Sequence, residues 1–374
     1  MSGTPKIGFV FEQTLGHVTH AHNLQAVLAD DQTISPRWIP IEYPVSGVAA
    51  HIPVFSSNWT VRAGLRARRA LRAASREGQF DALFIHTQVP AVLVPDWLRR
   101  IPTIVSIDAT PIQYDELGAF YDHEPGGGTL ERLKWKANRA CFQHAKAVVS
   151  WSSWAKQSLV DDYEVPAEKV TVIPPGVWLD QWTHPSGRRP DDGVVRILFV
   201  GADLVRKGGM TLVAAFRKVL AHVGDRAEGS PSVELHLVTK TPHAPESGIH
   251  VHADMTPNSP ELLELFRRCD VFCLPTRADM LALVLCEAGA AGLPLVSTPV
   301  GGISEIVKEG ETGLFVPPDD IDALAATLIR LVEDPALRHR LGANAAAAVE
   351  ARFNARKNAE EIVALLKDVA RPQA

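Results

Sequence analysis

The chain has 374 residues, 46% of them hydrophobic and 22% charged, with a formal net charge of -5. That length holds two domains with a core each, and the balance is that of an ordinary soluble globular protein. A mildly acidic total argues against nucleic acid as the main partner, and no apolar run approaches the about 18 residues that a bilayer span requires.

Short β-branched runs alternate with helical patterns along the chain, as in parallel sheets covered by helices on both faces. In order, the first half offers KIGFVF, DALFIH, PTIVSID, AKAVVSW and KVTVIP. The second offers VVRILFVG, VELHLVT, IHVHAD, DVFCLPT, LPLVST and GLFVPP. Between them PPGVWLDQWTHPSGRRPDDG, rich in proline, glycine and charge, reads as a connection. The expected fold class is α/β: two doubly wound Rossmann-like domains facing a cleft. The expected division is a first domain over 1–176, a linker over 177–193 and a second domain over 194–350. A C-terminal helix over 351–374 is expected to pack back toward the first domain. Neither half carries G-x-G-x-x-G after its first strand, which leaves a dinucleotide dehydrogenase poorly supported. Cys141, Cys269, Cys273 and Cys286 complete no zinc set with histidine and read as buried thiols of a reducing cytosol. No signal peptide is recognised at the start, so a cytoplasmic location is expected.

RADMLALVLCE, residues 277–287, places Asp279 and Glu287 at the ends of an almost wholly apolar run. Buried carboxylates are costly unless hydrogen bonds or a ligand fix them. In open parallel sheets ligands bind beyond the carboxyl ends of strands. DVFCLPT ends just before Asp279, which puts that acid on a cleft-facing loop and Glu287 near the start of the next helix. Each feature also has a plainer reading. Asp279 and Asp108 could cap helices, and Arg206 with Lys207 could be a solvated turn. DDID, residues 319–322, holds the D-x-D of a metal-dependent enzyme, but it precedes an amphipathic helix and reads as capping. His17, His20 and His22 lack an acid partner set, and no metal site is read there.

PTRADMLALVLCEAGAAGLPLVSTPVGGISEIVKEGETGLFVPPDD resembles the donor-binding region of the family 4 retaining glycosyltransferases, which have the GT-B fold. The shared marks are the acid pair Asp279/Glu287, EAGAAG, GLP, GGISE and TGLFVPP, in that order. The likeness extends back through FVGADLVRKGG and WSSWAKQSLVDDYEVPAEKVTVIPPGV to FEQTLGHVTHAHNL. It implies that Glu287 accepts the ribose hydroxyls of a nucleoside diphosphate sugar and that Asp279 holds hydroxyls of the transferred sugar. The amides of Leu281, Ala282 and Leu283 would approach sugar and diphosphate, helped by the following helix N-terminus. Arg206 and Lys207 would neutralise the diphosphate leaving group, and Gly16 would let the backbone approach diphosphate and acceptor. Asp279 stands where the family usually has Glu, and Met280 and Ala282 stand where it usually has glycines. Asp108 replaces a frequent histidine, and a role on a sugar hydroxyl is expected of it. The base should be met by the loops after VELHLVTK and IHVHAD.

The implied activity is retaining transfer of a hexose to the hydroxyl of a sugar, a lipid-linked or a small-molecule acceptor. Neither a metal nor a cofactor is expected. The alternatives are a same-fold sugar-nucleotide epimerase or phosphorylase, and a non-catalytic sugar-nucleotide-binding subunit. On the acceptor side, WTVRAGLRARRALRAASRE carries Arg62, Arg66, Arg69, Arg72 and Arg76 as one helical stripe, with Arg68 off it. Val61, Leu65 and Leu71 are expected to face the protein. The stripe reads as a solvated face or as a docking surface for anionic lipid or an acidic acceptor, which would place the protein peripherally on the inner membrane face.

Overall fold

The computed structural model describes residues 4–14, 16–45, 51, 55, 58–121, 127–182, 192–224 and 232–371. The chain forms two compact units, one from residues 1–119, 123–175 and 355–374, the other from 120–122 and 176–354. Residues 183–191 of the expected connection lie outside the described residues.

The first unit holds β1 (Lys6–Gln13), β2 (Ser35–Glu42), β3 (Ala82–His86), β4 (Thr103–Ile107), β5 (Ala147–Ser150) and β6 (Val170–Val172). They form a parallel sheet in the order β2-β1-β3-β4-β5-β6. Alternation along β1 supplies both cores. Ile7, Phe9 and Phe11 join Leu24 and Leu28 of α1 (His17–Leu28) and Ile362, Val363 and Leu366 of the C-terminal helix (Ala355–Ala370). Val10 faces the other way, with Ala63, Ala67 and Leu71 of α2 (Trp59–Ser75). The C-terminal helix is tied to this unit by Asn358 Nδ2, which donates to the Pro174 carbonyl at 2.9 Å.

β2 is absent from the sequence reading because Pro36 and Pro40 interrupt it. Its edge position accommodates them. Ser35 donates its N–H to the Pro5 carbonyl at 2.8 Å, so odd-numbered amides of β2 point toward β1. The two prolines fall on the outward parity, where no ladder donor is needed.

α2 corrects the arginine stripe. Its buried positions Ala63, Ala67, Leu71 and Ala74 turn one flank inward, and Arg62 goes with them at 4% exposure. The Arg62 guanidinium lies 5.3 Å from the Tyr43 ring and 5.1 Å from the Trp59 ring, and donates to the Phe55 carbonyl at 2.9 Å. Arg66 donates to the carbonyls of Glu42 and Pro44 beyond the end of β2. Arg69, Arg72 and Arg76 remain exposed. Leu65, expected inside, is 47% exposed, while Leu71 is buried as expected.

The second unit holds β7 (Val194–Val200), β8 (Ser232–Val238), β9 (Ile249–His252), β10 (Val271–Leu274), β11 (Leu295–Ser297) and β12 (Gly313–Phe315). The parallel order is β12-β11-β10-β7-β8-β9. Strand order therefore reverses between β7 and β10. In such a sheet the connections leave in opposite directions at that point and open a crevice at the carboxyl ends. Two doubly wound parallel sheets in one α/β chain are the expected fold class.

Candidate functional site

The second unit places the acid pair and the basic pair at its switch point. Arg206 and Lys207 follow β7, on a turn set by Asp203, whose carboxylate accepts the amides of Val205 and Arg206 at 3.1 and 3.0 Å. Asp279 follows β10. Arg277 N donates to Arg206 O at 2.9 Å, and Thr276 Oγ1 donates to the carbonyls of Arg206 and Ala278 at 3.3 and 3.0 Å. Two glycines make the approach possible. Gly208 has φ +74°, and a Cβ there would lie 1.8 Å from the Pro275 carbonyl oxygen. Gly301 has φ +54°, and its Cβ would lie 2.0 Å from the Asp279 carbonyl oxygen.

Asp279 is 7% exposed and ion-paired with the Lys207 ammonium. It caps no helix. The N-cap of α4 (Leu283–Ala290), numbered after α3 (Gly209–Gly224), is Ala282, with no side-chain cap. The α4 N-terminus thus keeps amides that no side chain satisfies, preceded by the backbone of Leu281 and Ala282. Arg206 is not a loose surface cation either. Its Nη1 donates to the Ala278 carbonyl at 3.1 Å and to Tyr121 Oη at 3.3 Å, and the guanidinium stands 4.7 Å over the Tyr121 ring. Asp203 lies 3.5 Å from its Nε.

Glu287 is the fifth residue of the eight-residue α4, a full turn deeper than the helix start expected for it. It is 8% exposed, and burial pushes its carboxyl up to about 7. No group among the described residues hydrogen-bonds its carboxylate. The acids at 319–322 serve as capping and bracing groups. Asp320 Oδ1 accepts the Ala323 amide at 2.8 Å, and Asp319 accepts Arg277 Nε at 2.7 Å.

The first unit gathers its polar residues where β1 and β3 end. Here too the order reverses, between β1 and β3. Gly16 has φ -66°, and a Cβ would meet nothing within 4 Å, so the fold itself does not demand glycine there. The next residue, His17, bridges two carboxylates: Nδ1 to Glu12 at 2.9 Å and Nε2 to Asp108 at 3.2 Å. Burial pulls its imidazole down, but the Asp108 and Glu12 charges outweigh that and lift it to about 10. Burial would raise Asp108, and the adjacent imidazolium overrides it, holding the carboxyl below its ordinary value. Asp108 is no helix cap; Thr110 caps the helix Pro111–Glu116. Glu12 also accepts from Thr87 Oγ1 and Trp59 Nε1, both at 2.9 Å. Burial and the His17 charge push His20 down to about 3, leaving it neutral. His86, also depressed by burial and His17, stacks on Trp151 at 4.9 Å.

Of the sequence-derived residues, Arg206, Lys207, Asp279, Leu281, Ala282, Leu283 and Glu287 share the second unit, and Gly16 and Asp108 share the first. Sequence reasoning missed Glu12, Thr87 and Tyr121, and it read His17 only as a rejected metal ligand. Glu12 left one signal, an acid inside the otherwise apolar run of β1. His17 finds its acid partners from the end of β1 and of β4, which no spacing along the chain reveals.

The model "Glycosyl transferases group 1" matches residues 180–348, and "Glycosyltransferase Family 4" matches residues 16–181. Glycogen synthase of Mycobacterium tuberculosis is 27% identical over 289 residues, covering 75% of this chain and 66% of that protein. The chain therefore spans less than two thirds of that relative. Sucrose-phosphate synthase of Thermosynechococcus elongatus superposes with a TM-score of 0.75 at 18% identity, over 98% of this chain and 99% of the other. Anabaena HepE, in complex with UDP-glucose, gives 0.66 at 16% identity, over 97% and 100%. The two structural likenesses show the GT-B fold.

Proposed function

This chain belongs to the family 4, group 1 glycosyltransferases, and on that premise we propose that it moves a hexose from a nucleoside diphosphate sugar to an acceptor hydroxyl with retention. The observation that carries the reading is the placement of Arg206, Lys207, Asp279 and Glu287 at one switch point. Two fixed cations supply there the charge neutralisation that a divalent ion would otherwise provide, so the transfer is proposed to need no metal. Leu281, Ala282 and Leu283 offer amides at the α4 N-terminus to the diphosphate, and Asp279 takes hydroxyls of the sugar. The sugar–phosphate bond breaks with its electrons going to the diphosphate, and the acceptor oxygen bonds to the anomeric carbon on the same face. The departing phosphate oxygen takes the acceptor's proton. On the first unit Gly16 leaves room beside its backbone. Asp108, oriented by His17, offers a carboxylate to a sugar hydroxyl. With its imidazolium held between two acids, His17 is not a base near neutral pH.

A thermal-shift panel with UDP, GDP and ADP sugars tests the reading, with UDP-glucose, the molecule held by HepE, tried first. A matching donor at about 100 times its dissociation constant should add about 2.7 kcal/mol of stability. Slow hydrolysis of that donor distinguishes an enzyme from a sugar-nucleotide-binding subunit, and binding without any turnover would favour the latter.

Glu287 gives the proposal a pH signature. A carboxylate accepts ribose hydroxyls better than a carboxyl does, so donor binding must remove the proton that burial retains up to about pH 7. Donor affinity should fall about tenfold per pH unit below 7 and level off above it. A sugar-esterified diphosphate does not itself titrate there. The unliganded fold has the opposite sign: holding that proton stabilises it below the ordinary glutamate value, and the gain is lost as pH rises through 7. In calorimetry the wild type should release a proton on binding below pH 7, whereas Glu287→Gln should bind weakly and without slope. An identical slope in the variant would remove Glu287 from the ribose.

Arg69, Arg72 and Arg76 remain outward on α2, and a weak contact with anionic bilayers is proposed for them. At about 1 kcal/mol each, three arginines give about 3 kcal/mol. Co-sedimentation with anionic over neutral vesicles should appear at low salt and vanish in R69Q/R72Q/R76Q. Equal recovery with both vesicle types would make the face a solubilising one.

A further inference from the structure

A second cluster of titratable side chains lies on the sheet of the second unit, on β8 and β9. Glu234 and His236 are two apart on β8, so their side chains leave the same face. His250 on β9 is the register partner of His236. A ligand atom from each of the three lies within 4.8 Å of the other two, and among the described residues no other three His, Cys, Asp or Glu side chains converge so closely. His236 Nε2 is 3.5 Å from Glu234 Oε2, and His250 Nε2 is 3.9 Å from Oε1. Tetrahedral ligands about 2.0–2.1 Å from a zinc ion stand about 3.4 Å apart. Small side-chain rotations therefore close the set without moving the strands.

The surroundings prepare these groups as ligands. His236 Nε2 is buried and, among the described residues, makes no hydrogen bond, the Glu234 carboxylate standing off at 3.5 Å. Its other nitrogen, Nδ1, is 3.1 Å from His252 Nε2. A proton on Nδ1 donated to His252 leaves the Nε2 lone pair facing Glu234, the tautomer that metal-bound imidazoles hold through such an outer partner. The His236 and His250 rings stack at 4.9 Å and 20°. Arg196 Nε holds Glu234 Oε2 at 3.3 Å and fixes the carboxylate. The positive charge of Arg196 is met by Asp192, which takes its two terminal nitrogens at 3.2 and 2.7 Å.

The geometry points to a zinc-class transition-metal site formed by Glu234, His236 and His250, with His252 orienting His236 and one position open to water. It lies on side chains that the proposed transfer does not use. Its consequence is mechanical: β9 is a four-residue edge strand whose one neighbour among the described strands is β8, and an ion held by both strands clasps it.

The test uses the full chain, stripped of metal with a chelator and titrated with zinc by calorimetry. One equivalent should bind and raise the melting temperature, with no response to magnesium. His236→Ala and His250→Ala should each weaken binding at least tenfold and abolish the thermal shift, and His252→Ala should weaken it by about tenfold. His243→Ala is the control, since His243 pairs with Glu246 outside the set. His250 is half exposed, so its variant keeps the test open should His236→Ala fail to fold. Absence of zinc binding, or one equivalent that survives both His236→Ala and His250→Ala, overturns the proposal.

Discussion

Replacing Arg206 and Lys207 together with alanine is expected to lower turnover by about a thousandfold while leaving the fold intact. Both cations would face a leaving group that gains negative charge only as the sugar–phosphate bond breaks, so the loss should fall on kcat more than on KM. The single variants should differ, because the two cations are held differently. Arg206 is positioned by a backbone carbonyl and the Tyr121 ring, and its removal leaves no buried charge behind. Lys207 is the partner of Asp279, which is 7% exposed. Lys207→Ala strands that carboxylate beside an anionic substrate, so it should lose donor affinity as well as rate. Adding Asp279→Asn to Lys207→Ala should therefore restore part of the donor affinity without restoring turnover. The measurements are steady-state kinetics of donor hydrolysis, donor calorimetry and circular dichroism. A folded double-alanine variant with normal turnover would place the diphosphate elsewhere.

Periodicity located the second sheet well. All six of its strands fall on runs read in the sequence. β10 and β11 are buried at every position and apolar but for Ser297, as strands covered on both faces must be, whereas β8 and the edge strand β9 alternate apolar residues with Glu234, His236, His250 and His252. In the first sheet β2 escaped, since its Pro36 and Pro40 are tolerable only at an edge whose existence depends on strand order. The same limit applies to the site. Asp279 and Glu287 stood out as acids in apolar surroundings, and the switch point between β7 and β10 explains why the Asp279 loop meets Arg206 and Lys207. Pairing was not readable. Asp279 joins Lys207, and His17 joins Glu12 and Asp108, only because parallel strands bring distant loops to one end of a sheet. The arginine stripe shows the converse. Helical spacing placed Arg62 correctly on a face, but the rings of Tyr43 and Trp59 draw that guanidinium out of solvent.

Gly301→Ala is expected to cost about a hundredfold in turnover, although residue 301 itself bears no chemistry. Two penalties arise. The residue sits at φ +54°, where a side chain adds about 1 kcal/mol of backbone strain. The second is steric: the new Cβ would stand 2.0 Å from the Asp279 carbonyl oxygen and 3.3 Å from that of Met280. Ordinary contact requires the Asp279 backbone to retreat by about 1 Å, and a misplacement of that size costs about a hundredfold when it touches substrate positioning. The neighbouring bond from Gly302 N to Met280 O, at 2.7 Å, ties the two loops together, so the retreat carries the Asp279 turn with it. Gly310→Ala separates the penalties. It has φ +71° and nothing within 4 Å of the added carbon, so it should lose about 1 kcal/mol of stability and no turnover. Melting temperatures and donor-hydrolysis rates of the two variants decide the matter. If Gly301→Ala turns over as fast as Gly310→Ala, the position of the Asp279 loop does not control the reaction.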